Sequence, residues 1–265
     1  MKMLIMNATP HKGNTWAAMC VIREEILKNN PDVEFDEVHL SALNLPFCTG
    51  CSMCFRKGMG YCPHYDIIKD IYNKMDECDG LILGATTFNM SPNALAKNLI
   101  DHLCFLMHRP HFFRNKAIVV STTGGVFADK TVKYLAGTLM AIGYNRCYKL
   151  PIATRSWNDY QPDEKARNKI RKVSLKFYGD VASGKLHSPT VGIMIPYNLF
   201  RGMSLGYIKG TEYETEDGNF WTDSKRAKCI YDPAVKVPFY KKPFGSLFYL
   251  IGKTAGKFMT VTYKK

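Results

Sequence analysis

Apolar and polar residues are distributed over the first 180 positions in a pattern that predicts strands and helices in alternation. Strands are indicated by short apolar runs at 2–9, 80–88 and 116–125 and by an alternating pattern at 33–40, and residues 147–153 are the candidate for a fifth strand. Helical patterns follow these runs at 14–28, 66–75, 93–107, 130–142 and 162–181. Strand and helix therefore alternate five times, which predicts an α/β fold with a five-stranded parallel sheet and helices on both faces.

Ligands of such sheets bind beyond the carboxyl ends of the strands, so the loops at those ends are the first candidates for a site. "NATPHKGNT" at 7–15 opens a helix, whose free backbone N–H groups are suited to a phosphate. It lacks the nucleoside-triphosphate and dinucleotide fingerprints, and an ordinary strand–helix turn capped by asparagine is the alternative. "GATTFNMSPN" at 84–93 and "STTGGVF" at 121–127 combine small hydroxyl residues with an aromatic, which lets backbone groups approach a flat ring.

The charge of the chain is concentrated near its carboxyl end. The 265 residues carry a formal net charge of +13, and residues 224–265 hold ten Lys and Arg against the single acid Asp232. We therefore expect a body at 1–183 and a basic extension at 184–265. A basic surface attracts phosphates, acidic proteins, nucleic acid or anionic lipid. No base-stacking motif is visible, so nucleic acid is not the expected partner.

The extension also contains an apolar pattern at helical spacing: Phe244, Leu247, Phe248, Ile251, Ala255, Phe258 and Met259. Packing of this stripe on its own domain or on a second subunit is favoured over contact with an anionic membrane surface. Three glycines, at 245, 252 and 256, weaken the helix prediction. No secretory signal or transmembrane run is visible, so a cytoplasmic location is expected.

The chain resembles the flavodoxin-like NAD(P)H-dependent FMN reductases, and within them the iron–sulfur flavoproteins. The likeness covers roughly residues 1 to 180 and is carried by "NATPHKGNT", "CTGCSMCFRKGMGYCP", "GATTFNMSPNALAKNLIDHLCFLMHRPHF" and "KAIVVSTTGG". It implies the five-stranded flavodoxin fold, with FMN held by the three strand-end loops. The first loop would hold the phosphate through Thr9, His11, Asn14 and Thr15. The second and third would line the ribityl chain and the ring through Thr86, Thr87, Phe88, Asn89, Thr122, Thr123, Gly124 and Gly125.

Four cysteines, Cys48, Cys51, Cys54 and Cys62, form a C-x2-C-x2-C-x7-C segment between the second strand and the next helix. The spacing and the proline after the last cysteine are typical of a [4Fe–4S] centre. Free thiols are an equal alternative, since relatives of this kind often keep such cysteines without a cluster, and zinc or disulfides come next. The other five cysteines, Cys20, Cys78, Cys104, Cys147 and Cys229, are expected to be small core residues outside any metal site.

The resemblance implies an FMN-dependent oxidoreductase in which electrons pass from NAD(P)H or a protein donor to a quinone, flavin or protein. The cofactor carries that chemistry, so no catalytic side chain is named. An iron–sulfur flavoprotein that acts as an electron carrier without its own small-molecule substrate is the alternative. A homodimer or tetramer is expected, because a flavin ring in an open sheet needs a cover.

Two further segments contain candidate residues. "MHRPHFF" at 107–113 holds His108, Arg109 and His111, and a subunit contact at the opposite end of the sheet is its expected role. "TRSWNDYQP" at 154–162 returns to the carboxyl ends of the strands, where Arg155, Trp157 and Tyr160 are candidates for the substrate side. An ordinary surface loop is the alternative for this second segment.

Overall fold

The computed structural model describes residues 1–208, 210 and 214–258. Met259, the last member of the predicted apolar stripe, lies outside the described residues. The strands are β1 (Lys2–Asn7), β2 (Glu34–His39), β3 (Gly80–Phe88), β4 (Ser91–Pro92), β5 (Lys116–Thr123) and β6 (Arg146–Ala153). The helices of the body are α1 (Asn14–Asn29), α2 (Met53–Arg56), α3 (Tyr65–Glu77), α4 (Ala94–His102), α5 (Phe105–His108), α6 (Ala128–Ala141) and α7 (Glu164–Ala182). The extension contributes α8 (Val191–Met203), α9 (Glu216–Thr222) and α10 (Lys242–Gly256).

The long strands form one parallel sheet in the order β2-β1-β3-β5-β6. This is the strand order of flavodoxin-like sheets. Successive side chains of a strand point to opposite faces, so Leu4 and Met6 enter one apolar core while Met3 and Ile5 enter the other. Both faces of β1, β3 and β5 are buried, which explains why these three strands have continuous apolar runs, whereas the edge strands β2 and β6 are more exposed. The predicted α/β class and parallel sheet are confirmed.

The sheet has six strands where five were expected. The additional strand, β4, pairs antiparallel with the end of β3, with Thr87 opposite Pro92 and Phe88 opposite Ser91. The two turn residues, Asn89 and Met90, have φ values of 49° and 63°. Two successive positive φ values match the twist of a tight hairpin, and such a turn leaves no periodicity to detect in the sequence.

The single helix expected at 93–107 is divided into α4 and α5. The backbone N–H of Cys104 bonds to the carbonyl of Asp101, three residues back, so the chain tightens after α4 and starts a new turn at Phe105. Leu103, at the break, is buried in the core. The break moves Cys104 out of the α4 face and towards the cysteine segment.

The extension packs on the body through its own apolar cluster. Met194, Tyr197, Trp221 and Tyr231 surround Phe113, which precedes β5. Helices α8 and α10 pack closely, because glycines replace side chains where their backbones meet: a Cβ at Gly202 would overlap the carbonyl of Tyr249, and one at Gly252 would overlap that of Leu199. Within the described part of the chain, no helix combines the length and apolar character needed to cross a bilayer.

The close approach of α8 and α10 gives a test of the packing. We expect Gly252→Ala to lower the free energy of unfolding by about 2 kcal/mol, because overpacking a tight contact forces backbones apart. Gly137→Ala in α6 is the matched control, since a Cβ there meets nothing within 4 Å. Helix propensity alone should raise stability by about 0.5–1 kcal/mol in that control. Urea unfolding followed by circular dichroism measures both changes, and equal effects of the two substitutions would contradict the packing described.

Candidate functional site

The carboxyl ends of β1, β3 and β5 surround a cavity of about 720 Å³. Since these strands are adjacent and parallel, the loops that follow them meet at one edge. The loop after β6 closes the cavity from the side. The lining residues are Thr9, Pro10, His11, Gly13, Asn14, Thr15, Thr86, Thr87, Phe88, Thr122, Thr123, Gly124, Gly125, Arg155, Ser156, Trp157 and Asn158.

Of the twelve residues predicted to hold FMN, all except Asn89 line this cavity. Asn89 instead forms the turn between β3 and β4 with a positive φ. Placement around one cavity brings the predicted residues together, and the contact of each with a cofactor stays a prediction. Of the candidates after β6, Arg155 and Trp157 also line the cavity.

Buried hydroxyl groups form the floor of the cavity. The hydroxyl of Thr15 lies 2.7 Å from that of Thr122 and 3.4 Å from that of Thr86, which links α1 to β5 and β3. Thr87 is similarly bonded to Ser121 at 2.7 Å. Each of these hydroxyl groups has another hydroxyl as its hydrogen-bond partner, so the floor of the cavity is polar and its hydroxyl groups are paired. Thr87 and Thr15 are therefore engaged with the protein itself.

Asn14 attaches the loop after β6 to the start of α1. Its side-chain amide donates to the backbone carbonyls of Ser156 at 3.0 Å and Trp157 at 3.1 Å, and its carbonyl oxygen accepts from the backbone N–H of Tyr160 at 3.1 Å. These bonds hold the segment around Arg155 across the mouth of the cavity, where Arg155 has a φ of 51°. Sequence reasoning missed this role, since an asparagine at the start of a helix indicates a cap.

The start of α1 has the donors that an anion needs. No side chain caps this helix, whose N-cap residue is Gly13. The first N–H groups of a helix have no partner within it, and the helix dipole favours negative charge there. A Cβ at Gly13 would fall 2.7 Å from Nε2 of His11, so the imidazole lies directly beside the glycine. This donor set fits a phosphate.

A second cavity, of about 50 Å³, brings the four clustered cysteines together. Cys48, Cys51, Cys54 and Cys62 all line it. All nine cysteines of the chain are free thiols, so no disulfide competes for them. The segment contains short helical turns: Cys54 lies in α2, and a 3-10 turn at Met59–Tyr61 precedes Cys62. Four thiols around one small space fit the donor set of an iron–sulfur cluster.

The prediction for Cys104 is wrong: this residue lines the same cavity rather than a separate part of the core. Its thiol is hydrogen-bonded to that of Cys54, which raises the pKa of Cys54 and lowers that of Cys104. The turn between α4 and α5 places Cys104 beside Cys54. The two residues are 50 positions apart in the chain, so their spacing does not predict this contact.

Two histidines add nitrogen donors to the cysteine cavity. Nδ1 of His64 lies 2.8 Å from Nε2 of His102, and Nδ1 of the buried His102 lies 2.9 Å from the carbonyl oxygen of Asn98. The carbonyl can only accept, so Nδ1 of His102 carries the proton and Nε2 presents a lone pair. Burial lowers the pKa of His102, which keeps the ring neutral. One ligand atom each of Cys62, His64 and His102 lies within 4.8 Å of the others.

Helix α4 holds the start of the cysteine segment. The side-chain amide of Asn98 donates to the carbonyls of Leu45 at 3.1 Å and Pro46 at 3.0 Å, and its oxygen accepts from the N–H of Cys48 at 3.1 Å. Asn98 and His102 are four residues apart on one helix face, so both reach the segment. This face of α4 fixes the position of the first cysteine.

Arg109 of the body connects the extension to the middle of the cysteine segment. The buried guanidinium donates to the carbonyl of Cys54 at 2.7 Å and pairs with the carboxylate of Asp217 in α9. His108 bonds to the other oxygen of Asp217 at 2.7 Å and stacks on Phe200 of α8 at 4.1 Å between ring centroids. The expected subunit contact of "MHRPHFF" is thus, for these two residues, a contact with the chain's own extension.

A family model described as NADPH-dependent FMN reductase matches residues 1–146. An iron–sulfur flavoprotein of Clostridioides difficile is 29% identical over 175 residues, which cover 65% of this chain and 76% of that protein. One of Archaeoglobus fulgidus is 31% identical over 126 residues, which cover 48% of this chain and 60% of that protein.

Solved structures show the same fold at low sequence identity. The azoreductase AzrA superposes with a TM-score of 0.51 at 16% identity, over 69% of this chain and 100% of that one. A flavone reductase superposes with a TM-score of 0.53 at 14% identity, over 71% of this chain and 66% of that one. At these identities the likeness establishes the flavodoxin-like fold alone.

The role of Asn98 predicts the behaviour of the cysteine segment. We expect Asn98→Leu to speed amide hydrogen exchange at Cys48 by about tenfold or more, because the N–H of Cys48 loses its acceptor and an unpaired, partly buried group costs about 1–3 kcal/mol. Lys97→Leu is the matched control on the same helix, since it removes only an exposed pair with Asp101. Equal exchange rates in the two variants would show that Asn98 does not hold the segment.

Proposed function

This chain belongs to the NADPH-dependent FMN reductase family, and we propose that it is an FMN-dependent oxidoreductase. Electrons would pass from NAD(P)H or a protein donor through the flavin to a quinone, flavin or protein acceptor. The observation that carries the proposal is the convergence of three strand-end loops on one cavity of about 720 Å³. When bound there, FMN supplies the electron-transfer chemistry, so no acid–base side chain is required.

The chain's own residues would bind and orient the cofactor. The open first turn of α1, with His11 beside Gly13, is the proposed phosphate site. At the opposite side of the cavity, a Cβ built at Gly124 or Gly125 meets nothing within 4 Å, which leaves room for a flat ring along the backbone. Phe88 and Trp157 stand at the rim, and Trp157 is 97% exposed.

Exposed apolar residues near the cavity support the predicted homodimer or tetramer. Phe88, Met90, Val126, Phe127 and Trp157 are between 44% and 97% exposed, and all lie in or next to the loops of the cavity. Phe127 has a φ of 74°, which is unusual for an aromatic residue and marks a strained loop. A second subunit placed on this rim would bury these side chains and shield the flavin ring from water.

The cysteine cavity supports a second candidate function, that of an electron carrier with flavin and cluster. Cys48, Cys51, Cys54 and Cys62 would hold a [4Fe–4S] centre, which supplies one-electron transfer when bound. The relatives named iron–sulfur flavoproteins support this candidate. Among the described residues, no residue lines both cavities, so loss of one group should not by itself remove the other.

The phosphate site is tested by Asn14→Ala combined with Thr15→Ala. We expect the double variant to weaken FMN binding by about tenfold or more. Asn14 and Thr15 fix the first turn of α1, whose backbone N–H groups would bind the phosphate, and hydrogen bonds to a charged group contribute about 1.5–3 kcal/mol. Riboflavin, which lacks the phosphate, should lose less affinity. Isothermal titration of both ligands measures the difference, with Thr138→Ala as the control for loss of a hydroxyl elsewhere.

Two results would contradict this assignment. FMN bound as tightly as by the parent protein would place the phosphate elsewhere. Equal losses for FMN and riboflavin would show that the two residues only shape the cavity, in keeping with the bonds of Asn14 to the loop after β6.

The cluster is tested by iron analysis of protein purified without oxygen. We expect Cys→Ser at position 48, 51, 54 or 62 to remove most of the iron while FMN stays bound, because the two cavities are separate. Cys20→Ser and Cys229→Ser are the controls, as neither residue lines the cysteine cavity. An iron-free parent protein that still binds FMN would exclude the cluster and leave the oxidoreductase proposal standing.

A further inference from the structure

Helix α10 presents apolar side chains to the outside of the protein. Leu247, Leu250 and Ile251 are 52%, 58% and 45% exposed. In a surface helix of a globular domain, such residues normally face the core. Phe244, Phe258 and the preceding Phe239 and Tyr240 continue the same surface, with exposures from 46% to 83%. We define the α10 apolar face as Phe239, Tyr240, Phe244, Leu247, Leu250, Ile251 and Phe258.

The glycines of α10 explain why this face is left open. At about 100° per residue, Gly245, Gly252 and Gly256 fall together on one side of the helix, opposite Leu247 and Ile251. That glycine side is the one packed on α8 and the segment after α9: a Cβ at Gly245 would overlap Ile230, and one at Gly256 would lie 3.0 Å from the carbonyl oxygen of Met203. Of the predicted stripe, Phe244, Leu247, Ile251 and Phe258 therefore do not pack on the chain's own domain, and packing of the stripe on a second subunit stays a prediction.

The charge around the α10 apolar face is positive. Lys242, Lys253 and Lys257 are exposed and lie along one border of the face, between it and the glycine side. Residues 224–265 as a whole carry ten basic residues against one acid. A helix with exposed aromatic and aliphatic residues on one side and lysines at its border has the features of a helix that lies in the plane of a membrane interface.

We infer that the α10 apolar face docks on an anionic membrane surface, with its apolar side chains among the acyl chains and its lysines at the phosphate groups. The charge of the lysines favours an anionic membrane over a second copy of the chain. In a contact between two copies, each α10 would contribute lysines and no acidic side chain to pair with them, and like charges at one interface oppose association. Lipid phosphates pair with those lysines instead, and each basic residue near such a surface contributes about 1 kcal/mol.

Vesicle flotation with the full chain tests the inference. We expect the protein to float with vesicles of phosphatidylcholine and phosphatidylglycerol, to float far less with phosphatidylcholine alone, and to be released by salt. Leu247→Glu should lower the partition coefficient by about tenfold or more, since burial of one leucine is worth about 1.5–3 kcal/mol. Ser41→Glu is the matched control: it changes the charge equally at an exposed residue of the body, outside α10 and its border of lysines.

The alternatives give different results. Failure of the parent protein to float with either vesicle would overturn the inference, as would equal flotation of the Leu247→Glu and Ser41→Glu variants. Equal flotation on both vesicle types would refute the role of charge. A parent oligomer that Leu247→Glu converts to monomers, without vesicle binding by the parent, would assign the face to a second copy. Circular dichroism establishes that both variants are folded.

Discussion

The adjacency of three parallel strands is the constraint on which the candidate flavin site depends. β1, β3 and β5 are neighbours in the sheet, and their hydrogen-bonded register brings Asn7 beside Gly84 and Thr86 beside Thr122. The loops that follow must then lie side by side, although they are far apart in the chain. A helix start, a hydroxyl floor and an open glycine pair thereby become parts of one cavity. None of these features would indicate a cofactor by itself.

A buried ion pair connects the extension to the cysteine segment. Asp217 of α9 pairs with Arg109, and Arg109 donates to the carbonyl of Cys54. Both side chains of the ion pair are about nine-tenths buried, so loss of either would leave an uncompensated charge. The extension is therefore more than an appendage, because one of its carboxylates helps to position Cys54 of the cysteine segment. The same extension directs the α10 apolar face outward through its glycines.

Local patterns predicted the sheet and the cavity, whereas features that depend on tertiary packing were missed. The apolar runs located every long strand, and strand order placed all but one of the predicted flavin residues around the cavity. The turn at Asn89 has no periodicity, so β4 was not foreseen. Cys104 reaches Cys54 only because the chain breaks after α4. In α10 the apolar stripe was recognised, but its direction was decided by Gly252 and Gly245, which sequence reasoning counted only against the helix.

The central claim is that the cavity at the ends of β1, β3 and β5 binds FMN. The most direct measurement is the visible absorption spectrum of the full chain, purified without oxygen after supplementation with FMN and freed of unbound ligand. The account predicts the bands of a bound flavin, with FMN released on denaturation in amounts close to equimolar with the protein. A folded protein that remains colourless and releases no flavin would contradict it.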